Sequence, residues 1–252
     1  MLIKDLAICI RAVDYSETSQ VASFFTRATG KISAIAKGSK RPKSAFDGPI
    51  EIFSKGQIVF SHAPERGLAV LTEFQQQPGP AAKYEMPPAK YELGLYALNC
   101  SYFAAELLNS LTDEYDPHPE LFNNFSQFLQ DTTEAPDRPT ALALLILFQL
   151  SLLKQVGLKP ILDACTNCKR RYDSHWREAH FTSTANGLLC IDCEAGFPDR
   201  IRLNAQAANA MADLKLIGKA NEKTLNEIEK ILIYHFTELL GHPPRMAKYF
   251  TE

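Results

Sequence analysis

Over roughly the first eighty residues, apolar and polar positions alternate in short runs broken by Gly, Pro, Ser and Asp, the period of half-buried β-strands. Residues 2–13 carry Ile8, Ile10 and Ala12 toward one side, and Asp14-Tyr15-Ser16-Glu17 breaks the run. A second strand is expected over 19–29, ending at Gly30-Lys31, and a third over 32–36. Further strands fit 50–53, 57–62 and 68–74, separated by Gly56 and by Pro64-Glu65-Arg66-Gly67. Short strands at this spacing predict a small barrel or sandwich, and a barrel of this length fits an OB-fold. Gln75-Gln76-Gln77-Pro78-Gly79-Pro80 reads as a linker, after which the period changes to three and four. Leu93, Ala97, Cys100, Ala104, Leu107 and Leu108 make one helical face, and Leu121, Phe125, Phe128 and Leu129 a second. Residues 141–156 predict a more uniformly buried helix, stopped by Gly157 and Pro160. Asn204 is placed to cap a helix running through 216, and 222–240 is amphipathic up to Gly241. Arg245, Lys248 and Tyr249 then lie on a basic tail expected to be mobile. The fold class is therefore α+β: an N-terminal OB-fold β-barrel over 1–80, then an all-α lobe over 81–252 with an insertion at about 162–198.

That insertion carries the clearest chemistry. Cys165-Thr166-Asn167-Cys168 is followed, after 21 residues, by Cys190-Ile191-Asp192-Cys193. Two Cys-x-x-Cys knuckles so spaced supply four thiolates that can close tetrahedrally on one Zn²⁺. Phe181 to Thr184 alternates, and Asn186-Gly187 is a turn dipeptide, so a small ribbon is expected between the knuckles. Two disulfides are the duller alternative, disfavoured by the lack of a secretory signal and by a reducing cytosol. A catalytic zinc would keep an open position and mix its ligands, whereas four thiolates close the shell. His175 and His180 lie within the loop, but nothing in their spacing requires them as ligands. A structural Zn²⁺ held by Cys165, Cys168, Cys190 and Cys193 is the expectation.

Charge changes the picture locally. The net charge of the 252 residues is only −2, yet the stretch 18–46 holds Arg27, Lys31, Lys37, Lys40, Arg41 and Lys43 and no acidic residue. Lys37-Gly38-Ser39-Lys40-Arg41-Pro42-Lys43-Ser44 reads as a flexible cationic loop suited to phosphates. These six basic residues are the candidate DNA contacts. Phe24, Phe25 and Phe46 could stack on bases, but filling the barrel is the preferred role. Cys9 and Cys100 read as buried free thiols. The longest apolar run, 141–148, is too short to span a bilayer, so a cytoplasmic protein without membrane contact is expected. Ala164 and Leu189, not Pro, precede the knuckles, unlike a zinc deaminase, and no Gly-Lys-Ser/Thr phosphate loop is present. An enzyme is not expected.

The residues also carry a resemblance. Tyr15-Ser16-Glu17-Thr18-Ser19, Thr29-Gly30-Lys31 and Ala36-Lys37-Gly38-Ser39-Lys40-Arg41 resemble the opening of the bacterial DNA repair RecO family. The stretches 102–108, 117–122 and 153–160, the last leading into the cysteines, are similar to that family's helical core, and His235 resembles a position in its closing helix. The resemblance implies an OB-fold that contacts single- and double-stranded DNA and a helical lobe that takes the C-terminal tail of single-stranded DNA-binding protein. It also implies a non-enzymatic mediator, associated with the nucleoid during repair, that anneals complementary strands and with RecR helps load RecA. The alternative is a zinc-stabilised protein-interaction adaptor without direct DNA binding. Lys169 stands after the first knuckle where many relatives carry Gly.

Overall fold

The alternation at the start of the chain closes on itself. A computed structural model describes residues 2–41, 44–46, 48–61, 67–77, 88–173 and 175–250. Strands β1 (Leu2–Asp14), β2 (Gln20–Thr26), β3 (Gly30–Ala36), β4 (Lys55–Ser61) and β5 (Ala69–Gln76) form a closed barrel in the order β1-β2-β3-β5-β4. Only β3 and β5 pair in parallel; the other pairs, including β4 with β1, are antiparallel. This is a five-stranded barrel of the OB type. Ala7, Cys9, Ala22, Ala34 and Ala36 are small enough to leave its interior to Phe24, Ile32, Phe60 and Phe74. Phe24 and Phe74 meet edge to face at 5.5 Å.

Two strand details differ from the sequence pattern. Ile8, Ile10 and Ala12 do not share a face, because the β1–β2 register shifts between Cys9 and Arg11. The extra residue of this bulge re-aims the rest of the strand, so Ala12 packs with Ala7 and Cys9 against the barrel core. Ile8 and Phe25 are register partners on the other side; both are fully buried, and Phe25 lies under Phe122 with ring centroids 6.2 Å apart. Residues 50–53 are not a strand. Phe53 has φ +66°, and its amide donates to the Cys9 carbonyl at 2.8 Å, so the segment turns alongside β1. Its apolar signal came from Ile50, which is buried in the barrel core as a loop residue.

Helices α1 (Pro88–Leu111), α2 (Pro119–Thr133) and α3 (Arg138–Gln155) come next in the chain. The chain divides into two compact units: Met1–Pro87 with Leu108–Gln127, and Pro88–Leu107 with Phe128–Glu252. In the first, the Lys31 ammonium donates to the carbonyls of Asn109 and Thr112, groups that the end of α1 leaves without helical partners. Gly30, at φ +86°, lets this turn approach closely: a Cβ there would stand 2.2 Å from the Asp116 carbonyl oxygen.

The second unit holds the hairpin β6 (Ala179–Thr182) and β7 (Gly187–Cys190), strand β8 (Ile201–Leu203), α4 (Ala205–Ala212) and α5 (Glu222–Leu240). Asn204 caps α4, its side chain accepting from the Ala207 amide at 2.8 Å. The helix expected through 216 stops at Ala212 because Asp213 is extended and caps a separate 3-10 turn, Leu214–Lys219. Asn221 caps α5, and Gly241, left-handed at φ 73°, ends it. The tail expected to be mobile is ordered. Arg245–Tyr249 forms a 3-10 turn whose Arg245 and Met246 amides donate to the Glu106 carboxylate at 2.7 and 2.9 Å. Phe250 packs on Phe103, centroids 5.3 Å apart. No helix of the described residues is long and apolar enough to cross a membrane.

One buried polar pair sits in this helical core. The Gln149 amide of α3 donates to Glu229 of α5 at 2.8 Å, and both residues are fully buried. Burial pushes the Glu229 carboxyl from 4.5 up to about 8, against the opposing effect of the Gln149 bond. The native state thus holds a proton that the unfolded chain has released, and stability falls as pH rises from about 4.5 to about 8. His235 is fully buried and its pKa is lowered by desolvation from 6.5 to about 4, so it opposes this trend below pH 6.5. Comparison with Glu229→Gln isolates the carboxyl: urea midpoints of the variant lack the wild type's decline between about pH 6.5 and about pH 8. An equal decline in both proteins places the titration elsewhere.

A candidate metal centre and a cationic loop

The four expected ligands converge. The sulfurs of Cys165, Cys168, Cys190 and Cys193 all lie within 4.8 Å of one another, and none of the six cysteines is in a disulfide. Tetrahedral coordination at about 2.3 Å per bond requires sulfurs about 3.8 Å apart. Cys168 and Cys190, one from each knuckle, are separated by 3.8 Å. Cys165 and Cys190 are buried, whereas Cys168 is exposed. The donor set therefore fits a single thiophilic metal ion with its shell closed by protein.

Local backbone geometry explains the convergence. In the first knuckle the Lys169 amide donates to the Cys165 carbonyl at 2.9 Å, and in the second the Cys193 amide donates to the Cys190 carbonyl at 3.0 Å. Each turn folds its two sulfurs to one side. Burial by itself raises the Cys165 thiol, but amide N–H groups of Cys168, Cys190 and Asn167 outweigh it and bring the pKa down to about 6. Cys165 is thus poised to bind as thiolate. Desolvation and the neighbouring thiols push Cys190 the other way, to about 12, as expected where one thiolate disfavours the next.

The expected ribbon is present as β6 and β7, and β8 adds a third strand beside β6 that the sequence pattern did not reveal. Its turn differs in detail from a two-residue hairpin. Thr182 pairs with Gly187 across a four-residue loop, with Asn186 left-handed at φ 51°. Gly187 has another reason to be glycine: Ile161 runs beside it, and a Cβ would stand 2.3 Å from the Ile161 carbonyl oxygen. Asp199 holds the loop, accepting from the Thr182 hydroxyl at 2.8 Å and the Thr184 amide at 2.9 Å. Ser183 Oγ and His235 Nδ1 share a bond of 2.7 Å, and His235 meets Phe181 edge to face. His235 is therefore a packing residue, and neither His175 nor His180 belongs to the sulfur cluster.

The basic residues near the barrel fall into two groups. β2 and β3 are paired from Gln20 with Ala36 to Thr26 with Gly30. The turn bearing Arg27, with Lys31 beside it, is at one end of this hairpin, and the loop bearing Lys37, Lys40 and Arg41 is at the other, roughly 20 Å away at about 3.3 Å per residue. Arg27, Lys37 and Arg41 are exposed. Lys40 pairs with Asp14 at 2.8 Å, a surface contact worth little. Lys31 is engaged with the α1 carbonyls; its partial burial lowers its pKa although Glu114 and Asp113 oppose the shift. Lys43 lies outside the described residues.

The cationic loop, expected to be flexible, has an anchored base. Ser39 is fully buried and donates to Gln20 Oε1 at 3.0 Å; the same Gln20 side chain accepts from the Ile50 amide at 2.8 Å and donates to the Ile50 carbonyl at 3.2 Å. The Lys40 amide donates to the Thr18 carbonyl at 3.1 Å and the Gly38 amide to Ser19 Oγ at 3.2 Å, which ties the loop to the β1–β2 turn. That turn carries Tyr15, 68% exposed. Phe24, Phe25 and Phe46 are all buried, so Tyr15 is the aromatic ring that this end of the barrel offers to solvent among the described residues. Tyr15 was legible only as part of the Tyr15–Ser19 signature, because a lone exposed tyrosine in a turn carries no periodic signal.

Comparison with known proteins covers both parts of the chain. The family model "Recombination protein O N terminal" matches residues 1–76, and "Recombination protein O C terminal" matches 94–248. The chain belongs to the RecO family. It is 29% identical over 259 residues to the DNA repair protein RecO of Bacillus pumilus, covering 100% of this chain and 94% of the relative. It is 31% identical over 210 residues to that of Rhodopirellula baltica, covering 83% and 73%, and 28% identical over 248 residues to that of Bacillus subtilis, covering 96% and 91%. This is a DNA repair protein, and recombination and DNA binding fit the family.

The centre's geometry sets two expected outcomes. Lys169 holds φ +64°, a conformation costly for any residue with a Cβ. Lys169→Gly in metal-loaded protein raises unfolding stability by about 0.5–1 kcal/mol, read as a higher denaturant midpoint; a lower midpoint would mean that the Lys169 ammonium on the Thr166 carbonyl outweighs the strain. Chelation releases one ion per chain and abolishes the near-ultraviolet dichroism of Trp176, which packs against the cysteine cluster. A Trp176 signal that survives complete removal shows that the lobe stands without the ion.

Proposed function

We propose that this chain is a recombination mediator that binds single- and double-stranded DNA at the barrel end formed by the β1–β2 turn and the Lys37–Arg41 loop. The observation that carries the reading is the joining of these segments: an exposed Tyr15 ring stands on a turn hydrogen-bonded to a loop with three cations. Cations neutralise phosphates without regard to sequence, and an exposed ring takes any base, so binding of this kind is sequence-tolerant. Lys37, Lys40, Arg41 and Lys43 supply the phosphate contacts here, and Arg27 extends the track to the far end of the β2–β3 hairpin. Lys31 enters as a structural residue. The buried Gln20–Ser39–Ile50 network holds the base of the loop in place, which lowers the ordering cost of binding.

Bringing two complementary strands together requires screened charge and no nucleophile or general base, so annealing fits this surface without a catalytic step. In this reading the metal is Zn²⁺ and structural, because four thiolates leave no open position for a substrate. The family supports cooperation with RecR, capture of the C-terminal tail of single-stranded DNA-binding protein, and delivery of the cleared strand to RecA. An adaptor acting through protein contacts alone is the competing reading.

Fluorescence anisotropy of labelled single-stranded DNA over a salt series separates the two. Affinity falls linearly in log–log form with salt, and Lys37→Ala/Lys40→Ala/Arg41→Ala both weakens binding and flattens the slope by about 2, from about 0.7 per lost phosphate contact. Unchanged affinity and slope in that variant remove the loop from the binding site, and no binding at low salt favours the adaptor.

A further inference from the structure

Beside the sulfur cluster lies a cleft of about 460 Å³ that the barrel reading does not use. Its walls include Tyr172, Trp176, Arg177, Arg202, Asn204 and Asn209. Trp176 is held from several sides. Its indole N–H donates to the Arg171 carbonyl at 3.0 Å, the Arg170 guanidinium lies 5.5 Å from its ring centroid, and it packs on the hydrophobic cluster containing Cys165 and Cys190. Tyr172 is tilted against it with centroids 5.1 Å apart, and the Tyr172 hydroxyl is fixed by a 2.9 Å bond to Asn209. Both rings keep partial exposure. The result is an aromatic platform, held from several sides, at the rim of a cleft of mixed lining in which Ala179, Leu203, Ala205 and Ala208 accompany the polar groups.

The charge around this platform has one sign in excess. Between residues 169 and 178 stand Lys169, Arg170, Arg171 and Arg177 against Asp173 and Glu178, the latter on the cleft wall. Arg170 is paired with Asp192 at 2.9 Å and Arg202 with Glu178 at 2.8 Å, both exposed pairs that an incoming phosphate can replace at little cost. Arg177 lines the cleft and makes no ion pair among the described residues. An aromatic face, side-chain amides and loosely paired guanidiniums suit an unpaired nucleobase and its phosphates. An acidic peptide would satisfy the guanidiniums and the amides, but it does not bring a nucleobase to stack on the platform beside each anion.

We propose that this cleft is a second single-strand site, in which a base stacks on Trp176 while Arg177 and Arg202 take the flanking phosphates. Because the platform leans on the cysteine cluster, metal binding and strand binding are coupled here. The site is independent of the cationic loop on the barrel.

Trp176 is the single tryptophan of the chain, so its emission reports on this cleft alone. The metal-loaded full chain is titrated with oligothymidylate, following tryptophan emission and the anisotropy of a labelled oligonucleotide in parallel. A saturable quench that salt reverses is expected. Arg177→Ala/Arg202→Ala shifts its midpoint about tenfold to higher concentration, whereas the Lys37/Lys40/Arg41 alanine variant still reaches the full quench at saturation. Binding by anisotropy with unchanged tryptophan emission overturns the cleft while leaving the barrel loop intact. The cleft is equally excluded by an unshifted midpoint in the Arg177/Arg202 variant, or by quenching with an acidic peptide and none with oligothymidylate.

Discussion

Four sulfurs held within 4.8 Å, two of them buried, cannot all be charged without a cation among them. Two unit charges about 4 Å apart repel by about 4 kcal/mol even at an effective dielectric of about 20, and this cluster contains several such pairs. A bound ion turns that repulsion into attraction and makes its binding part of the folding free energy of the lobe. Much of the second unit is keyed to the ribbon that the knuckles enclose. Ser183 reaches His235 of α5, Asp199 clamps Thr182 and Thr184, and Tyr172 reaches Asn209 of α4. The ribbon is thus a rigid base for neighbouring helices, and its spare surface carries the aromatic cleft.

The barrel meets a different constraint, since closing five short strands leaves loop backbone and buried polar groups that need partners. Gln20 satisfies both the amide and the carbonyl of Ile50 while receiving the Ser39 hydroxyl. Asp5 does the same at the far end of the β2–β3 hairpin, accepting from the Ala28 amide at 3.0 Å and the Thr29 hydroxyl at 2.8 Å. Unsatisfied, each such group would cost about 1–3 kcal/mol. These networks also have a functional consequence: they hold the bases of both turns that present cations, so the loops are anchored while their charged tips remain in solvent.

Family membership and local chemistry point the same way, but they rest on different residues. The family resemblance runs through turn motifs and helical faces along nearly the whole chain, most of which are packing. The proposed chemistry rests on a few positions: exposed Tyr15, Lys37 and Arg41 with half-buried Lys40 on the barrel, and half-buried Trp176 with exposed Arg177 by the sulfurs. A net charge of −2 concealed both groups of cations, because the carboxylates that balance them lie elsewhere in the sequence or in weak surface pairs.

Features with a local cause could be read without the structure. Strand and helix periods, the caps at Asn204 and Gly241, and the Cys-x-x-Cys spacing act over a few residues, so the sequence alone determined the barrel, most of the helices and the four cysteines that converge. The bulge after Cys9 was hidden because an inserted residue changes facing without changing composition. Strand β8 was missed because three residues show no period, and the ordered tail because its partner, Glu106, is more than a hundred residues away. The same distance in sequence concealed the division of the basic residues. Lys31 lies among phosphate candidates by spacing, yet its ammonium is committed to the end of α1. Only the tertiary structure decided which cations face solvent, which aromatic rings are buried, and that Trp176 stands beside the sulfur cluster, because each of these depends on chain segments that meet only after folding.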